Sequence, residues 1–145
     1  MNALRVAALA LCGFAAPASA LDYRSMADAA VLYDAPSAKS QKLFVIARNT
    51  PVEVVVSVEG WFKIRDAEGA LAWVERSAVS DKRTVMVKVD RAQIRSQPDD
   101  KAPLVFEAVK DVVMDLLDAG SGGWAKVRHR DGSSGFVSLK QVWGM

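Results

Sequence analysis

The sequence predicts an all-β protein made of two small β-barrels in tandem. Two observations lead there: a motif written twice, and short Val, Ile and aromatic runs separated by turn chemistry. Gly60-Trp61, Gly69, Trp73-Val74 and Val79 return 63 positions later as Gly123-Trp124, Gly132, Phe136-Val137 and Val142. Upstream, Pro36 and Phe44 recur at a spacing of 62 as Pro98 and Phe106. Copy two therefore carries one extra residue, placed within Gly120-Ser121-Gly122-Gly123, where a loop tolerates insertion. A period near ~60 in only two copies is too long for a solenoid and suits two complete domains.

The runs within each copy read as antiparallel strands. Val52 to Val58 is answered by Val112 to Leu117. Trp61 to Arg65 and Leu71 to Val74 form a hairpin across Asp66-Ala67-Glu68-Gly69, and Trp124 to Arg128 and Gly135 to Ser138 form its counterpart across Asp131-Gly132. The first strands are expected at Ala29 to Tyr33 and Val85 to Val89, and closing segments end at Val79 and Val142. About five short strands in ~60 residues, with Gly and Pro at the corners, make a small barrel or sandwich.

Ahead of the repeats, Met1 to Ala20 reads as a secretory signal. It has one cation at Arg5, an apolar run from Val6 to Ala16, Pro17, and the small-x-small site Ala18-Ser19-Ala20. The run is too short to span a bilayer, so no transmembrane anchor is expected after cleavage. Cys12, the single cysteine, follows Leu11, whereas a lipidation site wants a small residue there. The expected organisation is a signal peptide at 1–20, a first module at 21–80 and a second at 81–145. From Asp81 onward basic residues slightly outnumber acidic ones. A formal net charge of +2 for the whole chain lacks the dense positive field of a nucleic-acid binder.

The order Pro-containing loop, apolar strand, Gly-Trp, Gly turn and Gly/Ala-aromatic-Val resembles the bacterial SH3 (SH3b) domain, over essentially all of the chain after Ala20. Ile94-Arg95-Ser96-Gln97-Pro98 resembles the family's Leu-Arg-Ser-Gly-Pro opening, while Leu32-Tyr33-Asp34-Ala35-Pro36 departs from it at the Arg. Ala30 to Asp34 is also similar to the Ala-Leu-Tyr-Asp-Tyr opening of eukaryotic SH3 domains, with Ala35 in place of the second Tyr. The resemblance implies two SH3-like barrels acting as non-catalytic binding modules of a secreted bacterial protein.

Inventory argues against catalysis. His129, the single histidine, is flanked by Arg128 and Arg130 before a turn and is expected to be an exposed turn residue rather than the positioned imidazole of a Ser-His-Asp site, and zinc would need more His or Cys ligands than the sequence has. Asp115 and Asp118 are expected to be solvated charges rather than an acid/base pair. No Asp-rich calcium loop is present, and Gly120 to Gly123 lacks the Lys-Ser/Thr ending of a phosphate loop. No catalytic residue, metal or cofactor is expected.

Strand alternation is more informative, because successive side chains face opposite sides. Phe62 and Ile64 take the core, which turns Trp61, Lys63 and Arg65 outward; Val74 points in and Trp73 out. In copy two Ala125, Val127 and Val137 point in, and Trp124, Lys126, Arg128 and Phe136 point out. The SH3 resemblance places ligand-binding positions at Tyr33, Trp61 and Trp73 of copy one and at Arg95, Trp124 and Phe136 of copy two. Arg95 stands where copy one has Tyr33, making the second groove more cationic or stacking on Trp124. Two roles are open to these aromatics: lining a groove, or sealing one marginal module against the other. The linker, Ser80 to Thr84, has no Gly or Pro, so a packed pair is expected, with Trp143 at its interface.

The resulting expectation is a periplasmic or secreted protein that recognises cell-wall peptidoglycan or peptides through aromatic grooves. The alternative is a protein adaptor for an envelope enzyme or complex that recognises no glycan. Intact-mass analysis of the exported protein is expected to show a chain beginning at Leu21; a mass retaining Cys12 with acyl chains would overturn the cleavage site.

Overall fold

The computed structural model describes residues 20–145. The signal-peptide reading, 1–20, lies outside the described residues in all but Ala20. Copy one contains β1 (Asp22–Met26), β2 (Ala30–Tyr33), β3 (Lys42–Ile46), β4 (Pro51–Val58), β5 (Trp61–Arg65), β6 (Leu71–Glu75) and β7 (Val79–Ser80). Copy two contains β8 (Thr84–Val87), β9 (Arg91–Arg95), β10 (Leu104–Val109), β11 (Val113–Asp118), β12 (Trp124–Arg128), β13 (Ser134–Ser138) and β14 (Val142–Trp143). Short 3-10 turns at Arg76–Ala78 and Leu139–Gln141 precede β7 and β14. The protein is two seven-stranded antiparallel sheets, with matching orders β3-β2-β6-β5-β4-β1-β7 and β10-β9-β13-β12-β11-β8-β14.

Each sheet has its own core. The inward positions expected from alternation are closed to solvent: Ile64 is 1% exposed, and Val74, Val127 and Val137 are 0% exposed. Both copies carry a register shift at the same place, between Val54 and Val56 in β4 and between Leu116 and Asp118 in β11. A bulge bends its strand and sharpens the local twist. The extra residue of copy two lies beyond it, in the loop before Trp124, where Gly120, Gly122 and Gly123 all have positive φ.

The first strands differ from the sequence expectation. Ala30–Tyr33 is β2, whose counterpart is Arg91–Arg95, while most of the Val85-to-Val89 run belongs to β8, the counterpart of β1. Met26 pairs with Val79 as Val87 pairs with Val142. The spacing there is 61 rather than 62, so copy two has a second extra residue in the turn between β8 and β9. Asp22-Tyr23-Arg24-Ser25-Met26 has no apolar run to signal a strand. It is extended because β4 and β7 bond it on both sides, a tertiary effect stronger than local propensity.

The linker is pinned from both sides. Ser25, fully buried, donates its hydroxyl to the Lys82 carbonyl at 2.7 Å, and Arg24 meets Asp81 at 3.2 Å. On the other side Lys82 Nζ lies 2.9 Å from Asp115. The buried Thr84 hydroxyl donates to the Asn49 carbonyl at 2.7 Å, joining β8 to the turn before β4. Trp143 does sit at the junction, edge-on to Tyr23 with centroids 5.3 Å apart. Arg83 stands over the Tyr23 ring at 5.7 Å and donates to the Gly144 carbonyl at 2.8 Å. Burial, then the nearby Glu53 carboxylate, raises the Tyr23 pKa above its ordinary value.

Gly135 marks a close approach of β13 to β9. A Cβ there would lie 2.6 Å from Ile94 Cγ2 and 2.7 Å from the Arg95 carbonyl oxygen. Its counterpart in copy one is Ala72, which fits at 3% exposure. Ile64→Ala and Val127→Ala are expected to cost about 1–4 kcal/mol each in denaturant unfolding, by emptying small cores. Gly135→Ala is expected to cost roughly 1–3 kcal/mol, because backbone must move to admit the methyl group; an unchanged melting temperature would show that β9 yields freely.

Candidate functional site

In copy one the structure brings the three expected aromatics together. Tyr33 on β2 stands opposite Trp73 on β6, and Lys63 on β5 stands opposite Trp73 from the other side. Tyr33 also meets Trp61 edge-on, with centroids 5.5 Å apart and an interplanar angle of 85°. Lys63 Nζ lies 6.0 Å from the Trp73 ring, at the outer reach of a cation–π contact. All three rings are half-buried, so each keeps an open face. Beside Trp61 a hollow of about 420 Å³ opens between Gly60, Glu75, Arg76 and Ser77.

Arg76 was not legible in the strand pattern, since it sits in the 3-10 turn. Its guanidinium donates to Ser57 Oγ at 2.6 Å and to the Val58 carbonyl at 2.7 Å, and lies 4.4 Å from the Phe62 ring centroid. Arg24 approaches the same ring at 5.2 Å. Phe62 is thus a core residue whose ring also receives two cations. At the corresponding places copy two has Ala125 in the core and Leu139 packed against it, an apolar exchange of ring and cation for a small and a branched side chain.

Copy two assembles its residues differently. Arg95 pairs with Phe136 in register, as Tyr33 does with Trp73. Its guanidinium donates to the Ala102 carbonyl at 2.9 Å, bracing the loop between β9 and β10. This corrects the stacking expectation: Arg95 is turned to its own loop rather than onto Trp124. Trp124 lies at the far end of β12 opposite Ser138 and makes no ring pair among the described residues. Phe136 stands opposite Lys126.

The outward cations of β12 face carboxylates on β11. Arg128 is paired with Asp115 at 3.2 Å, and Lys126 stands opposite Asp118. Copy one repeats the pairing with Arg65 and Glu53 at 2.7 Å. Asp115 is accordingly a structural charge rather than a free solvated one. Burial pushes its pKa up, but hydrogen bonds and charge from Lys82 and Arg128 outweigh this and hold it below the ordinary carboxylate value. His129 lies in the turn, with Nδ1 3.2 Å from an Asp131 oxygen. Among the described residues no three His, Cys, Asp or Glu side chains are grouped to hold a metal.

Residues 26–81 and again 88–144 match the family model of the bacterial SH3 domain. The chain belongs to the bacterial SH3 domain family. No curated protein matches it significantly. Among solved structures it is similar to NlpC1 from Trichomonas vaginalis, at 12% identity over 88% of this chain and 47% of that one, with a TM-score of 0.40. A second match is NlpC2 from the same organism, at 12% identity over 86% and 48%, also with a TM-score of 0.40. A third is an NlpC/P60 family protein from Bacillus cereus, at 14% identity over 83% and 55%, with a TM-score of 0.37. The chain spans about half the length of these structures.

The Asp115 geometry sets an acid limit on stability. Because its folded pKa is depressed, its contribution is present above the unfolded carboxylate pKa, ~3.9, and is lost as pH falls through the lower folded value. Denaturant unfolding between neutral pH and pH 3 is therefore expected to show a smaller acid loss in Asp115→Asn than in the native protein. Equal slopes in the two proteins would mean that Lys82 and Arg128 do not stabilise the carboxylate.

Proposed function

We propose that this tandem bacterial SH3 protein is a non-catalytic binding protein of the periplasm or extracellular space, whose modules, 21–80 and 81–145, recognise peptidoglycan or its peptides. The observation that carries this reading is the outward cluster of Tyr33, Trp61 and Trp73, of which Trp61 borders an open hollow. Half-buried aromatics held by strands present rigid apolar area at little entropic cost, which suits sugar faces and extended peptides. Trp124, Phe136 and Arg95 form the second, weaker surface, because Arg95 is already engaged by Ala102.

An adaptor role is favoured by a different observation. Strand β3 is the edge of its sheet and exposes Leu43, Phe44 and Val45, with Val45 at 68%. An apolar edge with unpaired backbone groups invites addition of a partner's strand.

Sedimentation with purified peptidoglycan separates the two. The native protein is expected to co-sediment at both low and high salt, and the folded double variant Trp61→Ala, Trp73→Ala is expected to remain in solution. Absence of co-sedimentation at either salt would remove peptidoglycan as the ligand and leave the adaptor reading.

A further inference from the structure

A hollow of about 470 Å³ lies where the two modules meet and shares no residue with the aromatic clusters. Arg48 and Asn49 reach it from the turn before β4, Lys82 from the linker, and Asp115, Arg128 and Arg130 from copy two. Val112 and Val113 supply apolar wall. Four cationic side chains, Arg48, Lys82, Arg128 and Arg130, oppose two carboxylates, Asp111 and Asp115, leaving an excess of two positive charges. Asp115 cannot quench that excess further, since its oxygens are already taken by Lys82 at 2.9 Å and Arg128 at 3.2 Å. Among the described residues Arg48 and Arg130 form no ion pair. The first belongs to one module and the second to the other.

We infer that this inter-module cleft is an anion-binding site for a ligand carrying two or more oxyanion groups, phosphate or carboxylate, with Arg48 and Arg130 as its principal contacts. A concave site focuses the field of like charges and screens it less from salt than an open surface does. Guanidinium groups bind the planar edge of either oxyanion through paired N–H donors. Thr84 and the Asn49 carbonyl hold the Arg48 turn against copy two, so the separation of the two arginines is set by the fold rather than by a mobile linker. The site requires both modules; neither barrel alone contains it.

The test uses the full chain with two probes, tripolyphosphate and citrate, titrated while backbone amide NMR signals are followed. Saturable shifts are expected at Asn49, Lys82 and His129 with at least one probe, and the probe preferred identifies phosphate or carboxylate as the chemistry. Arg48→Gln, Arg130→Gln should weaken binding on the order of tenfold or more. The control Lys39→Gln, Lys101→Gln removes the same net charge from exposed loops and should leave affinity unchanged. Trp61→Ala, Trp73→Ala should also leave it unchanged, which separates this site from the aromatic one. Both arginines are exposed and unpaired, so folding is expected to survive, and the amide spectrum itself verifies that. No saturable shift with either probe, or equal weakening in the cleft and control variants, would overturn the inference.

Discussion

The register between β5 and β6, and between β12 and β13, is the constraint on which the rest depends. Phe62 opposite Val74 and Ile64 opposite Ala72 send four side chains into the first core. The same pairing leaves Trp61, Lys63 and Trp73 on the other face. A slip of one residue would exchange the two sets, placing Lys63 in the core and Ile64 in water, so core stability and the composition of the outer face are a single property. The paired bulges in β4 and β11 fall on the next strand over. There they turn the chain while keeping the Glu53–Arg65 and Asp115–Arg128 pairs in reach.

Much of this was legible because a period of two and a duplicated motif are both statements about which side chains share a face. The β5, β6, β12 and β13 strands, the loop insertion before Trp124 and the seat of Trp143 all follow from those patterns. What was not legible depended on partners distant in sequence. β1 is charged and polar, and only its neighbours β4 and β7 reveal it as a strand; missing it matched the Val85-to-Val89 run to β2 rather than to β1, one whole strand out of place. Arg95 illustrates the same limit within the candidate site. Its place opposite Phe136 follows from alignment with Tyr33, but the Ala102 carbonyl that captures its guanidinium lies in a loop with no pattern to read.

Duplication has preserved the frame and altered the fittings. Asn49 and Asp111 hold the same left-handed backbone conformation in the two copies, and their N–H groups bond the carbonyls of Met26 and Val87. Around that common frame Phe62 becomes Ala125, Arg76 becomes Leu139 and Tyr33 becomes Arg95. The first two changes compensate within one core: a large ring covered by a cation is replaced by a small residue covered by a branched one. The third converts a surface aromatic into a loop brace. Two modules with one topology therefore present unlike outer faces, and a shared ligand would not meet them as equivalents.

The short linker acts as a fixed spacer. A flexible tether lets a second module search for its contact at an effective concentration that falls slowly with length, and it forgives ligands of many sizes. Here Ser25, Lys82 and Asp115 hold the joint, so little search remains. A polymer whose repeat matches the distance between the two faces would gain nearly the full benefit of double attachment, because little joint entropy is left to lose. One whose repeat does not match would be held by one face only. Selectivity for spacing would then reside in three residues that lie outside both aromatic faces.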